Sequence, residues 1–220
     1  EDEAQPVGIK RYTFDDIYGE NQVFRQVITR AKKVALNDAS VFIYGETGTG
    51  KELLAQGIHH AGKRKDRPFL AQNCAAIPET LLEGILFGTT KGAFTGAERA
   101  SEGLLRAAHQ GTLFLDEVGD LPQGIQRAFL RALELRRFRP VGEVREVESD
   151  FRLVAATNQD LEAMSEDGRF RKDLLYRLQG MTIVIVSSEL QELKSISDRI
   201  AIISEGRLVD ILSPDASDAD

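Results

Sequence analysis

The chain has 220 residues, 42% hydrophobic and 29% charged, with a formal net charge of −7. This size and balance fit one folded domain with a small annex, and they exclude wholesale disorder and a surface devoted to coating DNA. The single cysteine, Cys74, excludes an internal disulfide and fits a reducing compartment, and no apolar run reaches the roughly 18 residues a membrane helix needs.

Taken in chain order, residues 1–11 read as a linker. They open with Glu1, Asp2 and Glu3 in place of Met and a basic stretch, so a trimmed start without a secretory signal is expected, and with it a cytoplasmic location away from membranes. Val41-Phe42-Ile43-Tyr44 is a strand ending in glycine, and Glu52 to about His60 is a helix. Pro68–Ala71 and Thr112–Leu115 give two more strands. Gln126–Leu135 sets Ala128, Phe129, Ala132 and Leu133 at helical spacing. Phe151–Ala156 and Met181–Val186 complete the strands, and an acidic tail closes the chain. Short apolar runs alternating with helix-period stretches predict an α/β domain with a largely parallel sheet. Four strands end in polar residues: Glu46, Asn73, Asp116 with Glu117, and Thr157 with Asn158. Ligands of open α/β sheets bind at the carboxyl ends of strands, so the site is expected there.

Gly45-Glu46-Thr47-Gly48-Thr49-Gly50-Lys51 fits G-x-x-x-x-G-K between a strand and a helix, the context of a phosphate-binding loop. Its glycines let backbone N–H groups point inward, the helix N-terminus favours negative charge, and Lys51 neutralises the outer phosphates. The position after the lysine, commonly a Ser or Thr ligand of Mg²⁺, is Glu52. Gly111–Glu117 is an apolar strand ending in adjacent acids. Asp116 is expected to hold Mg²⁺ through its water shell and Glu117 to activate the attacking water. ATP and Mg²⁺ are the cofactors this pairing calls for.

Between these elements, Gly92-Ala93-Phe94-Thr95-Gly96-Ala97 places one Phe among small residues with no apolar period around it. It reads as a loop with an apolar tip for gripping a partner, the alternative being Phe94 tucked inward. His59 and His60 face different sides of a helix and are expected at its solvated end rather than on a shared metal. The runs Lys63-Arg64-Lys65 and Arg136-Arg137-Phe138-Arg139 read as solvated faces or subunit contacts ahead of nucleic-acid contacts. Cys74 reads as a small buried residue.

GAFTGA beside GETGTGKE and GTLFLDEVGDLP resembles the AAA+ domain of bacterial enhancer-binding proteins, the activators of sigma-54 RNA polymerase, from about Tyr12 to Leu178. The resemblance implies a P-loop NTPase (AAA+) three-layer sandwich with a mostly parallel five-stranded sheet. It implies ATP hydrolysis that remodels the sigma-54 RNA polymerase holoenzyme through the GAFTGA loop. Ile17-Tyr18-Gly19 would lie against the adenine, and Asn73 would bind the catalytic Glu117 and release it on nucleotide sensing. Thr157 and Asn158 look like sensor I, which positions water against the γ-phosphate. Arg171 and Arg177 look like arginine fingers reaching the neighbouring subunit's nucleotide in a ring, usually a hexamer. Glu52 is normal in that family. Thr89 and Thr90 stand where many relatives have His-Glu, and Ile85 replaces a frequent glutamate, so the base of the GAFTGA loop departs from the common pattern.

After Leu178 the chain resembles something else. Residues 180–212 are similar to the closing segment of an ABC sugar importer ATPase, with Ser187-Ser188-Glu189-Leu190 at the switch region, but no LSGGQ signature occurs. Met181–Val186 is expected to serve as the fifth strand beside Val41–Tyr44. A helix near Glu189–Ser195 and a hairpin of Ile200–Ile203 with Leu208–Leu212, turning at Glu205-Gly206, would follow. The expected division is a linker (1–11), an AAA+ core (12–186), an ABC-like annex replacing the helical lid (187–212) and an acidic tail (213–220), with no DNA-binding domain and no sensor II arginine. Three functions compete: a remodelling ATPase, a chimeric ATP-binding module with little turnover, and an ABC transport ATPase fragment, which the missing signature opposes.

Overall fold

The computed structural model describes residues 11–17, 22–93, 100–186, 200–204 and 207–212. In chain order these form α1 (Gln22–Ala35), β1 (Val41–Gly45), α2 (Lys51–His60), β2 (Phe69–Asn73), α3 (Glu79–Phe87), α4 (Leu104–Ala107), β3 (Thr112–Asp116) and α5 (Gln123–Leu135). The short strands β4 (Arg137–Phe138) and β5 (Val147–Glu148) come next, followed by β6 (Arg152–Thr157), α6 (Leu161–Glu166), α7 (Lys172–Gln179), β7 (Thr182–Val186), β8 (Ile200–Ser204) and β9 (Arg207–Leu212).

Five strands form one sheet in the order β2-β3-β6-β1-β7, every neighbouring pair parallel. Its central strands are apolar at successive positions because both faces are covered. Phe42, Leu113, Leu115, Leu153 and Ala155 pack on one face with Leu86, Phe129, Leu133 and Leu174. Val41, Ile43, Phe114, Val154 and Ala156 pack on the other with Phe14, Ala35, Leu54 and Ile58. One-residue alternation therefore feeds two cores, and the fold is a helix–sheet–helix sandwich. α5 begins three residues before its periodic stretch, directly behind Pro122, which favours a helix start. Asp160 starts α6 by accepting hydrogen bonds from Glu162 N and Ala163 N at 2.9 and 3.0 Å.

The expected fifth strand is present. β7 pairs with β1 from Val41↔Thr182 to Gly45↔Val186 and completes the sheet edge. β8 and β9 pair antiparallel from Ile200↔Leu212 to Ser204↔Arg207, beside α1. The expected helix near Glu189–Ser195, the turn at Glu205-Gly206 and the acidic tail lie outside the described residues, as do Tyr18 and Phe94–Ala97.

His59 corrects an expectation. It is 1% exposed, because its helix face is turned onto the sheet, and its Nδ1 lies 2.9 Å from Thr112 Oγ1. Burial lowers its pKa to about 4, with His60 and Arg152 adding smaller effects in the same direction. The unfolded chain therefore takes up a proton near pH 6.5 that the folded state refuses until about pH 4. This contribution to stability is complete above about pH 6.5 and is lost as pH falls toward 4. His59→Gln is expected to flatten the fall in Tm between those pH values by an amount worth on the order of 2–3 kcal/mol, measured by thermal melts of both proteins. Arg64 is also no solvated charge. It pairs with Asp38 at 2.6 Å and Asp150 at 3.1 Å and donates to Gly111 O and Asp150 O, tying loops at the amino end of the sheet.

Candidate functional site

The carboxyl ends of β1, β2, β3 and β6 lie side by side in the sheet, so Gly45, Asn73, Asp116 and Thr157 converge as their strands register. The loop from Gly45 to Lys51 turns on two glycines. Gly48 and Gly50 have φ of +83° and +84°, and nothing lies within 4 Å of a Cβ at Gly48. Backbone conformation, and not space, demands glycine there. Thr49 Oγ1 donates to Glu46 O at 2.8 Å, and α2 starts immediately behind the loop with Glu52 in its first turn.

Lys51 is buried. Its Nζ donates to Gly45 O at 2.9 Å, to Glu46 O at 3.1 Å and to Glu117 Oε1 at 3.3 Å. The other oxygen of Glu117 accepts from Asn158 N at 3.1 Å. Asn158 Nδ2 in turn donates to Thr47 Oγ1 at 3.0 Å, so one hydrogen-bonded ring joins the phosphate loop, the β3 acid and the end of β6. Glu117 sits at φ +53°, a left-handed conformation uncommon outside glycine and one often found at functional sites. Thr157 is buried, and its Oγ1 accepts from Gln159 N at 3.1 Å.

Asp116 Oδ1 accepts from Glu117 N at 3.1 Å, and its Oδ2 accepts from Asn73 Nδ2 at 3.4 Å. Burial raises the Asp116 pKa, Lys51 opposes that shift, and the Glu117 charge adds to it. Among the described residues no group of three or more His, Cys, Asp or Glu forms a metal cage. One fixed, half-buried carboxylate is instead the donor set suited to Mg²⁺, which keeps waters and takes phosphate oxygens.

The expected contact of Asn73 with Glu117 is not the one seen. Asn73 Oδ1 is engaged by Ala75 N and Ala76 N at 2.9 and 3.2 Å, and β2 registers Asn73 opposite Asp116, so its amide reaches that acid. Ile17 is half-buried against the core between α2 and the sheet. Gly92 is exposed at φ +81°, and Ala93 N donates to Thr90 O at 3.2 Å. The base of this loop is tied to two other segments: Thr89 pairs with Ser101, and Thr90 N donates to Val141 O at 3.0 Å. Arg171 precedes α7, exposed, with its guanidinium on both oxygens of Asp173 at 3.0 and 2.7 Å. Arg177 lies exposed in the last turn of α7.

Sequence reasoning missed Gln126. It is 1% exposed, and its amide joins two backbone segments, the turn ending at Leu121 and the Arg169–Arg171 stretch before α7. The signal was available: Gln126 interrupts the apolar stripe of Phe129, Leu130 and Leu133 at helical spacing, where a polar residue needs buried partners.

Comparison with known proteins identifies the family. A family model described as the sigma-54 interaction domain matches residues 17–184. The transcriptional activator RocR of Bacillus subtilis is 47% identical over 179 residues, covering 81% of this chain and 38% of RocR. The regulatory protein AtoC of Escherichia coli is 50% identical over 153 residues, covering 70% of this chain and 33% of AtoC. The crystal structure of NtrX from Brucella abortus in complex with ATP superposes with a TM-score of 0.72 at 35% identity, covering 82% of this chain and 41% of NtrX. The chain thus spans well under two thirds of the length of these relatives.

Proposed function

Because the chain belongs to the sigma-54 interaction domain family, we propose that it binds and hydrolyses ATP to remodel the sigma-54 RNA polymerase holoenzyme. The observation that carries this reading is the ring of Lys51, Glu117, Asn158 and Thr47 at the mouth of the phosphate loop. It brings a phosphate-binding cation, a carboxylate base and an amide able to orient water to one point. Backbone N–H groups behind Gly48 and Gly50 would cradle the β-phosphate, and Ile17 with Tyr18 would line the adenine. Asp116 would hold Mg²⁺ through water, and the ion, when bound, neutralises charge on the outer phosphates. Glu117 would take the proton of the attacking water, and Asn158 with Thr157 would position that water. Asn73, bonded to Asp116, would act on Glu117 only after changing partner. The GAFTGA loop, from Gly92 through Phe94 and Thr95 to Ala97, would grip the polymerase complex.

Arg171 and Arg177 would complete the site of the neighbouring subunit in a ring. Their exposure supports this: among the described residues neither has a buried partner, Arg171 holding the exposed Asp173. Phosphate release per subunit is therefore expected to rise with protein concentration. Arg171→Ala should lower turnover by about 10³-fold or more with nucleotide affinity kept. Mixing it with Glu117→Gln protein should restore activity at mixed interfaces. Absence of rescue at every ratio would show that the arginine does not act in trans. Capture of sigma-54 holoenzyme with an ATP transition-state analogue tests the partner.

A second reading, an ATP-binding module with little turnover, rests on the end of the family match at residue 184, beyond which β8 and β9 stand where a helical lid would follow. Flat activity across protein concentration, with ATP still bound, would favour it.

A further inference from the structure

We propose that Gln126 is a positioning residue that couples the turn after Asp116 and Glu117 to the Arg171 finger, an inference resting on the trans-acting role of Arg171 given above. After Asp116 and Glu117 the chain makes a single turn over Val118–Asp120 and reaches Leu121. Gln126 Nε2 donates to Leu121 O at 2.7 Å and to Arg169 O at 3.1 Å, while its Oε1 accepts from Arg171 N at 2.9 Å. One buried amide thus spends both donors and an acceptor on two loops that are 50 residues apart in sequence at Leu121 and Arg171. Gln123 Nε2 also donates to Gly168 O at 2.5 Å, but among the described side chains of α5 it is Gln126 that reaches the Arg171 amide itself and joins it to Leu121 O.

The geometry assigns the tether to the finger rather than to the core. Arg171 N is the last amide before α7, and the guanidinium leaves the surface from that residue toward Asp173. A displacement of the Arg171 backbone shifts the point from which its guanidinium reaches. Misplacing a catalytic group by about 1 Å can cost on the order of 10²-fold in rate. Movement of the Val118–Asp120 turn reaches Leu121 directly, so the same amide can pass a change at one nucleotide to the finger that serves the next.

The test uses Gln126→Leu, which keeps the volume but makes none of the three bonds. Alone, it is expected to bind ATP within about threefold of the parent and to lose about tenfold to hundredfold in turnover. Its own nucleotide site is intact and its finger is misplaced, so mixing with Glu117→Gln protein should restore activity. Mixing with Arg171→Ala protein should restore none, because both partners then lack a working finger. Rescue by Arg171→Ala, or failure of rescue by Glu117→Gln, overturns the proposal, since a merely structural defect would not distinguish the two partners. If Arg171→Ala and Glu117→Gln do not complement each other, the functional reading fails first. Amide hydrogen exchange then still tests the tether. The Arg171 amide should exchange at least about tenfold faster in Gln126→Leu while α5 amides beyond Leu130 hold their rates, and an unchanged Arg171 amide overturns it. Should the Leu variant not fold, Gln126→Glu keeps the acceptor for Arg171 N and is expected to speed exchange less than tenfold; a larger increase overturns the assignment.

Discussion

Glu117→Gln is expected to lower ATP turnover by on the order of 10²- to 10⁴-fold while nucleotide affinity is retained. The two carboxylate oxygens are held at fixed points, one by Lys51 Nζ and one by Asn158 N. Gln has nearly the same shape, so the fold around the 9% exposed side chain should persist. The amide can keep one acceptor, but it cannot take up a proton, and one held point becomes a donor facing a donor. Loss of the negative charge also frees Lys51 for phosphate, so affinity should rise or stay level. Phosphate release under saturating ATP and a fluorescent-nucleotide titration check the two halves. Turnover within about threefold of the parent would remove Glu117 from the chemistry.

Lys51→Ala is expected to remove measurable ATP binding, a loss of at least about 10- to 100-fold from one charge-assisted contact. The side chain is 6% exposed and bridges two carbonyls of the loop and the Glu117 carboxylate. Among the described residues, alanine removes the only side-chain cation contacting Glu117 and leaves that buried carboxylate with Asn158 N as its remaining partner. Breaking a buried pair by removing one partner costs about 3–5 kcal/mol. The single variant should therefore be destabilised as well as unable to bind. Adding Glu117→Gln should recover part of the Tm without recovering affinity, because the stranded charge is gone while the phosphate cation is still missing. Affinity within about threefold in Lys51→Ala would contradict the phosphate-loop assignment.

What the amino-acid sequence determined here is what local chemistry determines. The phosphate loop needs left-handed backbone whatever surrounds it, and Gly50 of G-x-x-x-x-G-K and the additional Gly48 supply it, while Gly45 ends β1. Alternating burial wrote the central strands as continuous apolar runs, so β1, β3 and β6 were legible to within a residue or two, and the β-branched run at Thr182–Val186 found the open edge of β1. Other features depend on partners far apart in the chain, and only the tertiary structure decided them. His59 looked solvent-facing until α2 was laid on the sheet against Thr112. The family resemblance points Asn73 at Glu117, but register sets it opposite Asp116, and its acceptor is taken by the next turn. Gln126 showed only as a break in an apolar stripe, since its three partners come from segments that helix packing alone brings together. Local patterns fix backbone conformation and burial phase; which polar atoms meet is fixed by register and packing, where a shift of one residue or an ångström exchanges one partner for another.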